Sequence, residues 1–147
     1  MRALIAAPPE EVFGLYMDPN RRSEWNPAAR DVRLRSGEFK QPGSVHVVDT
    51  RFGPFEVDLL RVEPPNLIEL REGVGRWGEA LVTMLFRRTR TGQTLLIVES
   101  TFDRPGLDGR LTAPLAAFFS LLYGRIELRR FKAAAERGQR RAMQVEG

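Results

Sequence analysis

A chain of 147 residues, 42% hydrophobic and 29% charged, has the length and balance of one globular domain, so residues 1–147 are read as a single unit and disorder is excluded. The absence of cysteine removes disulfides, thiolate chemistry and Cys-ligated zinc, and a lone histidine removes any multi-histidine metal site, so no metal or cofactor is expected. Residues 1–124 carry 16 basic and 16 acidic side chains, which leaves the whole net charge of +4 at the C-terminal end rather than on a basic face, and a nucleic-acid partner is not expected.

The opening run Met1–Ala7 is too short for a signal-peptide core and is stopped by Pro8. No apolar stretch approaches the ~20 residues of a membrane span, so the expected setting is the cytoplasm. Pro8-Pro9-Glu10-Glu11 ahead of Val12, Phe13, Tyr16 and Met17 predicts a helix. Proline suits the first turn, acids there favour the dipole, and the apolar positions recur at helical spacing. Asp18-Pro19 ends it, because the residue before proline is pushed out of the α region. Asn20 to Trp25 reads as a second short helix, closed by Asn26-Pro27.

From Asp31 the texture changes to short strands parted by turns: Val32–Arg35, Val45–Phe52, Phe55–Val62, Leu67–Glu72, Ala80–Arg88 and Thr94–Phe102. Spacers of a few residues suit hairpins, whereas parallel crossovers need a dozen or more, so an antiparallel meander is expected. The last third is helical. Leu111, Leu115, Phe118, Phe119, Leu122 and Ile126 form one stripe, with Pro114 placed in the first turn, and so apolar a helix must lie across a sheet face. Beyond Ala135 the pattern fades into Arg137, Arg140 and Arg141, a solvated end.

This order of elements, with Ala7-Pro-Pro-Glu-Glu-Val-Phe13, Trp25-Asn-Pro27, the Val62-Glu-Pro-Pro-Asn66 corner and Thr91-Gly-Gln-Thr94, resembles the START-like, polyketide-cyclase-like (SRPBCC) helix-grip superfamily. The four pieces in order span Ala7 to about Gly138. The resemblance implies an α+β helix-grip fold: a curved antiparallel sheet of about seven strands around a long C-terminal helix, with two short helices after the first strand and an apolar cavity between sheet and helix. The family's first strand is usually longer than Leu4-Ile5-Ala6 permits, which leaves a short edge strand or a late start. Lipid carriers, cyclases, receptors and chaperone partners share this scaffold, so function has to be argued from the pocket.

Several residues are candidates for chemistry. Gly73-Val-Gly75-Arg-Trp-Gly78 spells G-x-G-x-x-G, but a dinucleotide site needs a helix at Gly78, and the alternation of Ala80, Val82, Met84 and Phe86 favours a strand. The bland reading is a hairpin loop, with Trp77 at a pocket mouth. His46 shares a strand face with Val48, Thr50 and Phe52. It either orients a ligand or shuttles a proton, or is a partly exposed strand residue. Glu56 and Asp58 emerge on one face, shared with Leu60 and Val62, so Asp58 is an acid/base candidate if that face is inward. If Phe55, Val57 and Leu59 are the buried set, both acids lie in water. Gly124 in mid-helix leaves a gap beside Tyr123, whose hydroxyl wants a partner if buried.

The expected ligand-binding set is Trp25, His46, Phe52, Met84, Phe102, Phe119 and Tyr123, with His46, Asp58 and Tyr123 as the catalytic candidates and plain core as the competing reading for the large residues. Arg125, Arg129 and Lys132 form a helical stripe which, with Arg130, either touches an anionic membrane surface or is a solvated end. A binding or carrier protein for a small hydrophobic molecule (lipid, isoprenoid, aromatic or polyketide-like), monomeric or homodimeric, is the first reading. A cofactor-independent cyclase or dehydratase and a chaperone-activator-like interaction module are the alternatives.

Overall fold

The computed structural model describes residues 1–73, 79–103 and 107–145; at 102–103, 107–121, 143 and 145 it describes the backbone alone. The elements in chain order are β1 (Arg2–Ile5), α1 (Pro9–Met17), a short 3-10 helix (Pro19–Glu24), β2 (Ala29–Ser36), β3 (Val45–Thr50), β4 (Gly53–Glu63), β5 (Leu67–Gly73), β6 (Glu79–Arg88), β7 (Thr94–Asp103) and α2 (Leu107–Val145). Seven strands form one antiparallel sheet in the order β1-β7-β6-β5-β4-β3-β2. Six of them are the expected meander. β1 closes the far edge by pairing Arg2 through Ile5 with Ile97 through Thr94, and it is the short strand the sequence allowed.

Alternation selects the inward face. On β6 Ala80, Val82, Met84 and Phe86 are buried, while Leu81 stands 47% exposed on the other side. On β5 the buried Ile68 and Leu70 point the same way, followed by Glu72. These residues and Leu96 of β7 meet Val12, Phe13 and Tyr16 of α1 and Phe131, Ala134 and Ala135 of α2 in one core. Full burial of such a side chain contributes about 1.5–3 kcal/mol.

The ambiguous strand resolves in favour of its odd positions. Val57 and Leu59 are buried with Phe55 partly so, and Glu56 and Asp58 point out. Glu56 pairs there with Arg35. The register shifts between Leu59, opposite Leu70, and Arg61, opposite Glu69. This bulge leaves Leu60 exposed on the acids' side and brings Val62 back against the core, so of the two only Leu60 shares the acids' face as an unbroken alternation required.

The second short helix is present as a 3-10 helix, tightened between Pro19 and the Asn26-Pro27 turn; Asp18 caps it by accepting from the Asn20 amide at 3.0 Å. One helix reading needs correction. The long helix begins at Leu107, so Pro114 is its eighth residue rather than a first-turn residue. There its missing N–H leaves the Arg110 carbonyl without its helical donor. The periodic stripe started late because Leu107-Asp-Gly-Arg110 carries no apolar repeat. No helix among the described residues is long and apolar enough to cross a membrane.

Candidate ligand cavity

Between the sheet's inward face, α1, the 3-10 helix and α2 lies a cavity of about 700 Å³. Its floor is Ala80, Val82 and Met84 of β6 with Leu96, Val98 and Ser100 of β7. Its roof is Gly124, Glu127, Leu128 and Phe131 of α2, an i, i+3, i+4, i+7 face, with Tyr123 beside it. The β3–β4 turn makes one rim. Gly53 turns there with φ of 111°, and the Thr50 hydroxyl donates to its carbonyl at 2.7 Å while accepting from the Phe52 amide at 3.1 Å. Phe52 is left 75% exposed on that rim, with the Arg51 guanidinium 4.7 Å from its ring centre.

Trp25 walls one end. It stacks on Tyr16 with ring centres 5.3 Å apart, meets Phe131 edge-on at 5.2 Å, and carries the Arg22 guanidinium 4.3 Å over its own ring. The adjoining Asn26 is 4% exposed. Its Oδ1 accepts from the amides of Ala28 and Ala29 at 3.0 and 3.1 Å and from the Tyr123 hydroxyl at 3.1 Å. The Trp25-Asn-Pro27 turn is thereby latched to α2, and Tyr123 has the partner its hydroxyl required. Burial raises the Tyr123 hydroxyl above its ordinary pKa, and pushes that of the more deeply buried Tyr16 up to about 12.

Trp25, Phe52, Met84 and Tyr123 therefore come together on the lining. Phe102 and Phe119 sit on β7 and α2, and their side chains lie outside what is described, as does that of Phe118; residues 74–78, with Trp77, lie outside the described residues altogether. Gly73 pairs with Glu79 where β6 begins, so the segment after the glycine motif is a strand and offers no helix N-terminus to a dinucleotide.

His46 shares the inward face with Val48 but misses the cavity. It borders a separate small space with Tyr16, Met17, Pro19 and Leu59, its Nε2 3.2 Å from the Ser44 hydroxyl and its ring 5.1 Å from Phe39. Burial, then the Arg22 charge, lowers its pKa, which favours the neutral imidazole. Asp58 is turned away from the cavity. Gly124 lies beside Tyr123 on the cavity roof, but the space at its Cα is taken by Met1: a Cβ on residue 124 would come within 2.8 Å of the Met1 methyl carbon.

Three charged residues on the lining were not singled out from the sequence: Arg22, Glu72 and Glu127. Among the described residues neither carboxyl accepts a hydrogen bond, and neither comes within the 4.0 Å of an ion pair with Arg22. Burial raises both carboxyls. Glu127 rises from 4.5 to about 7, burial being opposed by Arg22 and assisted by Glu72, while for Glu72 the opposing influence is again Arg22. Periodicity carried a signal for two of the three. Glu72 continues the inward series Ile68, Leu70, and Glu127 stands inside the apolar stripe between Gly124 and Phe131.

A sheet closed on one long helix over an internal cavity defines the helix-grip class of small α+β domains. The sequence profile described as polyketide cyclase/dehydrase and lipid transport matches residues 1–136, and the chain belongs to that family. No curated protein matches it by sequence. Among solved structures, MLL2253 from Mesorhizobium loti aligns with a TM-score of 0.73 at 18% identity, over 93% of this chain and 95% of that one. DynU16, from the dynemicin biosynthetic locus, aligns at 0.66 with 24% identity over 94% of this chain but 46% of its own. Ara h 8.0201 aligns at 0.64 with 13% identity, over 88% and 94%. At these identities the likeness is one of fold.

Proposed function

We propose that the protein binds and carries a small, mostly apolar molecule, of lipid, isoprenoid, aromatic or polyketide-like character, in the cavity under α2. The observation that supports this is the cavity itself: about 700 Å³ of space beside Trp25, Val82, Met84, Leu128 and Phe131, with a few polar groups to fix orientation, is what small-molecule sites present. Transfer of a guest's apolar surface from water supplies affinity at ~25 cal/mol per Å². Arg125, Arg129 and Arg130 are exposed on α2 and suit contact with an anionic bilayer as a source of such a guest. Lys132 is instead drawn to Glu136 at 3.8 Å.

Titration with the neutral fluorophore Nile red tests the reading, together with native mass spectrometry of the purified chain. Ala80 is buried on the cavity floor, so Ala80→Phe places a ring in the guest's space and is expected to weaken dye binding at least about tenfold while the fold persists. Undiminished binding in that variant, or none in the parent, rules the cavity out as the site.

A cofactor-independent cyclase or dehydratase is the second reading, favoured by the place of Glu127 on the cavity lining, where burial pushes its carboxyl up to about 7, a range that suits a general acid or base. Should a substrate be turned over, Glu127→Gln is expected to slow it by about 10²–10⁴-fold. His46→Ala and Asp58→Ala, outside the cavity, are expected to leave the rate within a few-fold. The reverse pattern in steady-state assays removes Glu127 from the chemistry.

A further inference from the structure

We propose that the acidic end of the cavity, where Glu72 and Glu127 converge with Arg22, receives the protonated amine of an amphiphilic ligand whose apolar body fills the remaining space. The proposal rests on the cavity being a site for an apolar guest and adds the chemistry of the guest's head.

The argument is one of charge and unused acceptors. Two carboxylates face one guanidinium, and Arg22 is the single basic residue among the described lining. That guanidinium lies by the rings of Tyr16 and Trp25, its carbon 5.2 and 4.3 Å from their centres, and its buried Nε has no acceptor among the described residues. It pairs with neither acid, and no described donor reaches either carboxyl. Both acids are half-buried, and an ionised carboxylate partly withdrawn from water without protein donors is disfavoured. The empty protein answers with protons, Glu72 and Glu127 both being raised.

An ammonium answers the same deficit with a full positive charge and three donors. A hydroxyl brings one donor and no charge. A carboxylate adds a further negative charge to a site already in surplus. The other titratable groups near Glu127 are Tyr16 from α1 and Tyr123 from its own helix; Arg51 and Arg130 act on Tyr123. A bound cation therefore favours the ionised form of Glu127, and binding releases a proton as pH falls toward neutrality.

Competition against Nile red on the full chain, with decylamine, decanol and decanoate as probes sharing one tail, reads the head-group preference directly. At about pH 8 the amine is expected to compete about tenfold or more better than the alcohol, and decanoate worst, the scale of a charge-assisted hydrogen bond. The alkylamine stays protonated throughout, so its advantage should shrink from about pH 8 to about pH 6 as Glu127 takes up its proton. In Glu127→Gln the amine-to-alcohol ratio at about pH 8 should fall about tenfold and lose most of its pH dependence, with retained dye binding marking a folded chain.

Equal competition by all three probes, or a win for decanoate, overturns the head-group assignment and leaves the apolar cavity standing. Failure of dye and probes alike overturns both. If the variant binds no dye, the unaltered chain decides: an amine advantage constant over that pH range overturns the proposal.

Discussion

Replacement of Glu127 by glutamine is expected to stabilise the folded protein at neutral pH by about 3 kcal/mol, and hardly at all in acid. Burial first, and Glu72 second, raise this carboxyl from 4.5 to about 7, with Arg22 only partly offsetting them. Below about 4.5 the folded and unfolded chains both hold the proton, so the site costs nothing. Between about 4.5 and about 7 the unfolded chain has released its proton while the folded chain keeps it, and stability falls as pH rises. Above about 7 both are ionised and the full cost stands. Glutamine keeps the volume and removes the charge. Urea titrations of parent and variant across this range should show a gap that opens with pH. A gap independent of pH, or a parent more stable at neutrality, would refute the assignment of Glu127 as a half-buried, reluctant acid.

Phe86→Ala is expected to cost about 3–5 kcal/mol, enough to leave a domain of this size marginal. The ring is 1% exposed at the inward face of β6, opposite Leu96 in the ladder, and meets Phe13 of α1 edge-on at 5.4 Å. Truncation removes apolar contact and leaves a hole that sheet and helix cannot both close. Leu81, on the same strand but turned outward, is the control; Leu81→Ala should stay within about 0.5 kcal/mol. The comparison needs only urea midpoints at constant slope. Similar losses at the two positions would contradict the inward assignment of the alternating set.

The strands were legible because the inward set is apolar and the outward set mostly is not, as Ala80, Val82, Met84 and Phe86 illustrate. Phe55 to Val62 was harder, since apolar side chains occur in both sets there and no propensity announces the bulge at Leu60 that exchanges them. The resemblance implied a first strand that is short or starts late, but nothing in the local pattern announces its pairing with β7, across most of the chain length. Of the site, the aromatic wall could be anticipated from size alone, whereas the three charges could not be weighed properly. A charged residue is by default a solvated one, and that prior outweighed the alternation that carries Glu72 inward and the helical spacing that carries Glu127. Arg22 lies in a 3-10 helix too short to show a period, so only coordinates could place its guanidinium over two rings. His46 shows the opposite failure. Its face was legible, but Tyr16 and Arg22 border both spaces and part it from the larger one.

The wall that Arg22 stacks upon is also a built-in optical probe. Of the two tryptophans in the chain, Trp25 has its indole against the enclosed space, flanked by a phenol and a guanidinium. Anything that enters changes the polarity around that chromophore without any label attached. A chain carrying Trp77→Phe would have this one emitter, and its spectrum would register occupancy and the ionisation of nearby acids in a single cuvette.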